Sequence, residues 1–307
     1  GNDYGTYYYW FKSAGSVEWS HVFQTNIEPG YFLLNKAVSV FTDSFQWFLA
    51  VSSAVILLPI LYVYRKHVED APLTILLFIN TDIFVMLFSG IRQGIAIGIG
   101  CLAFEFAREK KPIRFLITVG TALLFHTSAF VLLLLYPACR FRLRKKSLYY
   151  IIPAYVILLI FNREIFSFLL GISGVYTEYG MSQTGAFMSI ILFSLFAVYS
   201  IVIPDERSLD ETGKMLRNIL LITLAIMTFA PIHMMVMRMA YYFVVFMPLC
   251  IPKIVKYRDE SQEKITEISK VVMLLFFTAY FFYFGYSGMA TGAGLHTFPY
   301  QFFWEAA

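Results

Sequence analysis

Charged residues are scarce in this chain. Asp, Glu, Lys and Arg make up 14% of 307 residues, against about a quarter in a soluble domain. Cysteine is scarcer still. Cys101, Cys139 and Cys250 all fall inside or at the edges of apolar runs, with no CxxC and no Cys/His cluster. That excludes a disulfide framework and points away from a metal site. No Walker A, no GxGxxG after a strand and no DxD interrupts the chain, so nothing suggests a nucleotide or a metal-bound nucleotide sugar. No cofactor and no nucleic-acid partner are expected. Repeats and low-complexity stretches are lacking as well, and no signal peptide is visible. The chain opens at "GNDYGTYYYW" without Met, so at least one preceding helix is expected to be missing.

What is abundant is apolar surface: 59% hydrophobic residues, 19% aromatic, with 32 Phe and 21 Tyr. Such a chain cannot cover itself with polar groups and must be solvated by lipid. Apolar runs at 46–64, 73–89, 94–107, 149–161, 185–204, 215–231, 239–252 and 268–286 predict about eight transmembrane helices. No soluble domain separates them. The expectation is an all-α, polytopic integral membrane protein forming a single membrane domain over 1–307.

The stretch 113–138, "IRFLITVGTALLFHTSAFVLLLLYPA", reads either as one long span or as a hairpin bent near "FHTSA". Charge decides between them. If residues 1–45 form an external loop with short helices, the hairpin places 19 of 24 basic residues on the cytoplasmic side. It leaves only Lys12, Lys36, Arg92, Arg163 and Arg238 outside. A single span leaves eight basic residues inside. The positive-inside bias selects the hairpin. Arms of ~12 residues reach only about 18 Å, so the hairpin is re-entrant, with its tip buried in protein near the external side. Residues 162–185 form a second external loop.

Arg92 and Gln93, in "FSGIRQGIAIGIG", then stand at the external end of two helices with little else polar nearby. An arginine embedded there is costly unless paired, and its planar fork suits phosphate oxygens. Arg238 and Arg163 share that side. His126, inside "LLFHTSAFVLL", is the candidate proton acceptor or hydroxyl-orienting group, with Asp3 and Glu28 as alternative bases. The expectation is that Arg92, His126 and Arg238 converge on one externally open cavity, with Gln93 in its lining. Tyr4, Tyr7, Tyr176, Tyr179 and Tyr242 lie in aromatic segments of the kind that cover sugar faces; the same residues also suit a membrane interface. Gly90, Gly94 and Gly98 recur every four residues, an ordinary helix-packing face.

Five stretches, "GNDYGTYYYWF", "IEPGYFLLNKAVS", "SGIRQGIAIGI", "LLFHTSAFVLL" and "RMAYYFVVFMPLCIP", resemble in order the EpsG-like, Wzy-type polymerases of bacterial exopolysaccharide, O-antigen and capsule synthesis. "RQ-x-IA" followed some 30 residues later by "FHTSA" is the specific part. The resemblance implies a GT-C-like fold and a metal-independent glycosyltransferase of the bacterial cytoplasmic membrane, its active site facing outside. It implies that undecaprenyl-diphosphate-linked oligosaccharide repeat units are joined there, alongside other synthesis and export proteins. A lipid-linked oligosaccharide flippase or other transporter, a membrane acyltransferase and a non-catalytic scaffold are the competing readings. A transporter more often shows matching broken helices in two halves, which this sequence lacks.

Overall fold

A computed structural model describes residues 3–19, 27–143, 145–173, 187–202, 209–256 and 263–291. Among them all regular structure is helical. In chain order the helices are α1 (Tyr4–Ser16), α2 (Pro29–Ser39), α3 (Phe45–His67), α4 (Ala71–Asn80), α5 (Asp82–Ser89), α6 (Ile91–Arg108), α7 (Pro112–Leu123), α8 (Leu135–Ala138), α9 (Leu148–Ile160), α10 (Asn162–Ser173), α11 (Phe187–Val202), α12 (Glu211–Met227), α13 (Met234–Val244), α14 (Met247–Val255) and α15 (Glu263–Thr291). The chain divides into two compact units, Gly1–Phe130 with Asp259–Ala307, and Val131–Arg258.

The described part of each of the eight apolar runs is mostly helical, but the helix lengths differ from eight plain spans. Among the described residues, only α3 and α15 are individually long and apolar enough to cross a membrane. The number rises to five if each bent pair is one span: α4 with α5, α9 with α10, and α13 with α14, bent by 53°, 80° and 53°. The breaks have local causes. Asp70 caps α4 by accepting from the Leu73 amide at 3.1 Å, with Pro72 in the first turn. The polar "NTD" at 80–82 then ends it, with Thr81 extended between α4 and α5. Pro248 stands in the first turn of α14, where a missing N–H costs nothing, and so restarts the helix after Phe246.

In the first unit, α3 and α6 run parallel. Ile56 meets Gly94 and Gly98 midway, and His67 meets Glu105 at their C-terminal ends. A Cβ on Gly98 would lie 2.7 Å from the Ile56 carbonyl oxygen, so only glycine allows this approach. The α4–α5 pair returns the chain between the two. A tight turn with Lys110 at φ 61° reverses it again into α7, which runs back along α6. The heads of α3 and α6 and the tail of α7 therefore share one end of the unit, and α1 and α2 cover it. Phe11 stacks on Phe48 with ring centroids 5.0 Å apart, and Tyr4 meets Phe45 edge-on at 5.2 Å. Lys12 donates to the Asp43 carbonyl at 2.8 Å.

The opposite end of this unit is charged. The buried Glu105 carboxylate accepts from Lys66, His67 and Arg108. Glu109 pairs with Lys111 at 2.7 Å, which holds its carboxyl below the usual range against a small opposing effect of burial. Lys270 of α15 reaches Asp70 at 3.4 Å.

The second unit is organised on α12. Asp210 caps that helix through the Gly213 amide, and Lys253 at the tail of α14 pairs with Asp210 at 3.1 Å. Asn218 donates to the Ala138 and Phe141 carbonyls at 2.9 and 2.8 Å, fixing the chain after α8. At the other end of α12, Asn162 donates to the Thr228 carbonyl and the Phe166 ring lies 5.8 Å from that of His233.

Candidate functional site

Helix α6 begins immediately after Gly90, which supplies no side-chain cap. Arg92 is in its first turn, where the helix dipole opposes a cation. A carboxylate offsets that: Arg92 donates from Nη1 to Glu28 at 2.5 Å, with side-chain exposures of 27% and 13%. The guanidinium also bonds Tyr7 and lies 4.8 Å over the Trp10 ring. Its Nε is buried with no hydrogen-bond partner among the described residues. Gln93, next along the helix, is fully buried.

Tyr7 and Trp10 are three residues apart on α1 and so share a face. Tyr31 packs edge-on against both rings, at 5.9 and 6.0 Å. Burial pushes the Tyr31 phenol well above its usual range, so it stays protonated. Asn35, one turn further along α2, donates to the Tyr31 carbonyl at 2.8 Å. Sequence reasoning named Tyr7 and missed Trp10, Tyr31 and Asn35. The signal for Trp10 was the three-residue spacing within "YYYW"; nothing in the sequence pairs that ring with Arg92.

"FHTSA" is a break between helices. α7 stops at Leu123, and a 3₁₀ stretch, Thr127–Leu134, follows. The break is clasped to α2, because the Gly30 amide donates to the Leu124 carbonyl at 2.8 Å. A Cβ on Gly30 would lie 2.8 Å from that same oxygen, so the clasp requires glycine. Glu28 and His126 each stand two residues from the clasp, which brings His126 to the Arg92 end of the unit. His126 is half-buried. Its Nδ1 accepts from the Ser128 amide at 3.2 Å and contacts Ser128 Oγ at 2.7 Å. In a neutral ring that leaves the proton on Nε2, making Nε2 a donor.

The remaining predicted residues divide as follows. Asp3 is exposed at the head of α1 and makes no side-chain cap. Tyr4 is half-exposed, whereas Tyr7 is buried in the packing beneath Arg92. Tyr176 and Tyr179 lie outside the described residues. Arg238 belongs to the second unit, half-buried on α13 after the His233 cap, and Tyr242 one turn later is fully buried. Arg163, exposed at the head of α10, lies at the same end of that unit as His233. Among the described residues, no three His, Cys, Asp or Glu side chains are grouped as metal ligands.

Chemically, the Arg92 cluster presents a guanidinium lying over an indole and neutralised by one carboxylate, with His126 at the same end of the unit. Comparison with known proteins adds one result. The model of the EpsG family matches residues 1–302. No curated protein and no solved structure matches the chain.

Proposed function

Because the chain belongs to the EpsG family of Wzy-type exopolysaccharide polymerases, we propose that it joins oligosaccharide repeat units carried on undecaprenyl diphosphate, on the external face of the bacterial cytoplasmic membrane. Membership makes it a polymerase-like membrane protein of polysaccharide biosynthesis; the lipid carrier, the side and the residues are our reading. The observation that carries it is Arg92, half-buried at a helix head, fixed by Trp10 and balanced by Glu28. That end of the unit lies opposite the charged Lys66–Glu105–Arg108 end, which supports assigning the latter to the cytoplasm.

In this reading Arg92 binds the diphosphate of the donor and takes up the charge that develops as it leaves, a role electrostatics can perform without a metal. Arg238 is assigned the same kind of contact on the strength of its side-chain chemistry and half-buried position, with Arg163 as a weaker contributor. Nε2 of His126 donates to the acceptor hydroxyl oxygen and orients it toward the anomeric carbon. Tyr4, exposed on α1, covers a sugar face, and Asp3 with Tyr176 and Tyr179 supplies further sugar contacts. Buried Tyr7 and Gln93 support the surface around Arg92, and buried Tyr242 the surface around Arg238. The GT-C-like architecture with eight spans and a re-entrant 113–138 hairpin remains part of the proposal.

Surface glycan from a deletion strain tests the function. The proposal predicts single repeat units on the outside, restored to long polymer by the wild-type gene. Repeat units retained inside would identify a flippase instead.

A further inference from the structure

The Arg92–Glu28 pair places a carboxylate where the donor diphosphate has to bind, and a static reading has no use for it there. Glu28 is the N-cap residue of α2, yet its side chain makes no capping hydrogen bond to that helix. The contact that holds its carboxylate in the structure is the ion pair with Arg92. Arg92, by contrast, is held independently by Trp10 and Tyr7 and keeps an unused buried Nε donor. Among the described residues, one partner is held by several contacts and the other is tethered only through the pair.

Resting on the polymerase reading above, we infer that Glu28 is the general base and that the donor diphosphate switches it on by taking its place on Arg92. A diphosphate carries more charge than a carboxylate and fits the guanidinium fork with two oxygens. The indole keeps the guanidinium plane in position, so the exchange moves Glu28 and not Arg92. While paired, the carboxylate is held against the guanidinium and is not presented to an acceptor hydroxyl. Released from the guanidinium, the carboxylate is available to take a proton, and it stands two residues from the clasp that holds the His126 turn.

The acceptor O–H proton then passes to a Glu28 carboxylate oxygen while the acceptor oxygen bonds to the anomeric carbon. The bond from that carbon to the diphosphate oxygen breaks, and its electron pair leaves with the lipid diphosphate, which Arg92 stabilises. When the diphosphate departs, Glu28 loses its proton to water and returns to Arg92. Base activation thus requires a bound donor, and an empty site cannot deprotonate an acceptor or water.

The test measures binding and polymerisation on the same purified protein in nanodiscs. Glu28→Gln removes the competitor for the guanidinium. It is expected to bind undecaprenyl diphosphate roughly tenfold more tightly, the scale of one partly screened charge interaction, while polymerisation of lipid-linked repeat units falls about a hundredfold or more. Inorganic pyrophosphate must show the same tightening, because the competition is for Arg92; tightening confined to the lipid probe overturns the exchange. Glu28→Asp, which keeps a carboxylate at shorter reach, should be intermediate in both readouts and serves if the Gln variant does not fold. Unchanged or weaker diphosphate binding in both variants, or wild-type polymerisation by Glu28→Gln, overturns the inference. Tightening in a protein that never polymerises would refute the polymerase reading and leave the exchange standing. Polymerisation without tightening would do the reverse.

Discussion

Arg92 and Glu28, 64 positions apart in the chain, are joined by a hydrogen bond of 2.5 Å at the head of α6. Neither belongs there alone. A cation in the first turn of a helix opposes the dipole, and a carboxylate that is largely buried needs a partner. Together with Trp10 and Tyr7 they form a polar cluster that the aromatic α1–α2 cover shields.

Arg92→Lys keeps the charge but loses the fork, the Tyr7 bond and the guanidinium contact with the Trp10 ring. Polymer yield is expected to fall by roughly a hundredfold, since removing one positioned charge donor costs on that order. Normal polymer length in a complementation assay of this variant would remove Arg92 from the account. Trp10→Leu, with Arg92 intact, should lose about tenfold, the scale of a cation–π contact.

Three glycines separate close packing from open surface. Gly30→Ala and Gly98→Ala force a Cβ within 2.8 Å of Leu124 and 2.7 Å of Ile56 backbone oxygens. Each should cost about 1–3 kcal/mol, read as a lower Tm in detergent. Gly120→Ala, in α7 with nothing within 4 Å of the added carbon, should raise stability by up to about 1 kcal/mol. Gly30→Ala should also reduce polymerisation, because it opens the clasp that holds the His126 turn against α2.

Glu105→Gln breaks the charged cluster at the other end of the unit and leaves Lys66, His67 and Arg108 without their common partner. The expected loss is about 3 kcal/mol, the lower end for a buried pair because Lys66 and Arg108 are partly hydrated. Thermal unfolding of the variant checks this, and a Tm equal to wild type would contradict it.

Orientation is tested by cysteine labelling. The native Cys101, Cys139 and Cys250 are all buried, which gives a low background for an impermeant thiol reagent. Ser147→Cys should stay unlabelled on intact cells and react after permeabilisation. Phe41→Cys, 87% exposed after α2, should react from outside. Strong labelling at Ser147→Cys on intact cells would turn residues 113–138 into one span.

Much of this was legible in the sequence because the signals were local. Hydropathy marks apolar runs whose described residues are mostly helical, and "FHTSA" marks the break after α7. Gly94 and Gly98 were read as a packing face, which they are, against Ile56. The bends were less legible: 73–89 and 239–252 read as continuous apolar runs, although Thr81 and Pro248 interrupt their helices. Pairings across the chain were not legible at all. Glu28 was read as a candidate base and Arg92 as a phosphate ligand, with no local pattern that joins them. Glu105, one acid in the apolar "CLAFEFA", carries no sequence signal for its pairing with Lys66 and His67, because those two partners lie on a different helix.

The central claim is that this protein polymerises repeat units at the Arg92 cluster. Purified protein in nanodiscs, supplied only with undecaprenyl-diphosphate-linked repeat units, tests it directly by gel analysis of the glycan. The account predicts a ladder of increasing length with the wild-type protein and unextended single units with Arg92→Ala. No ladder from a folded wild-type protein, or an equal ladder from Arg92→Ala, would contradict it.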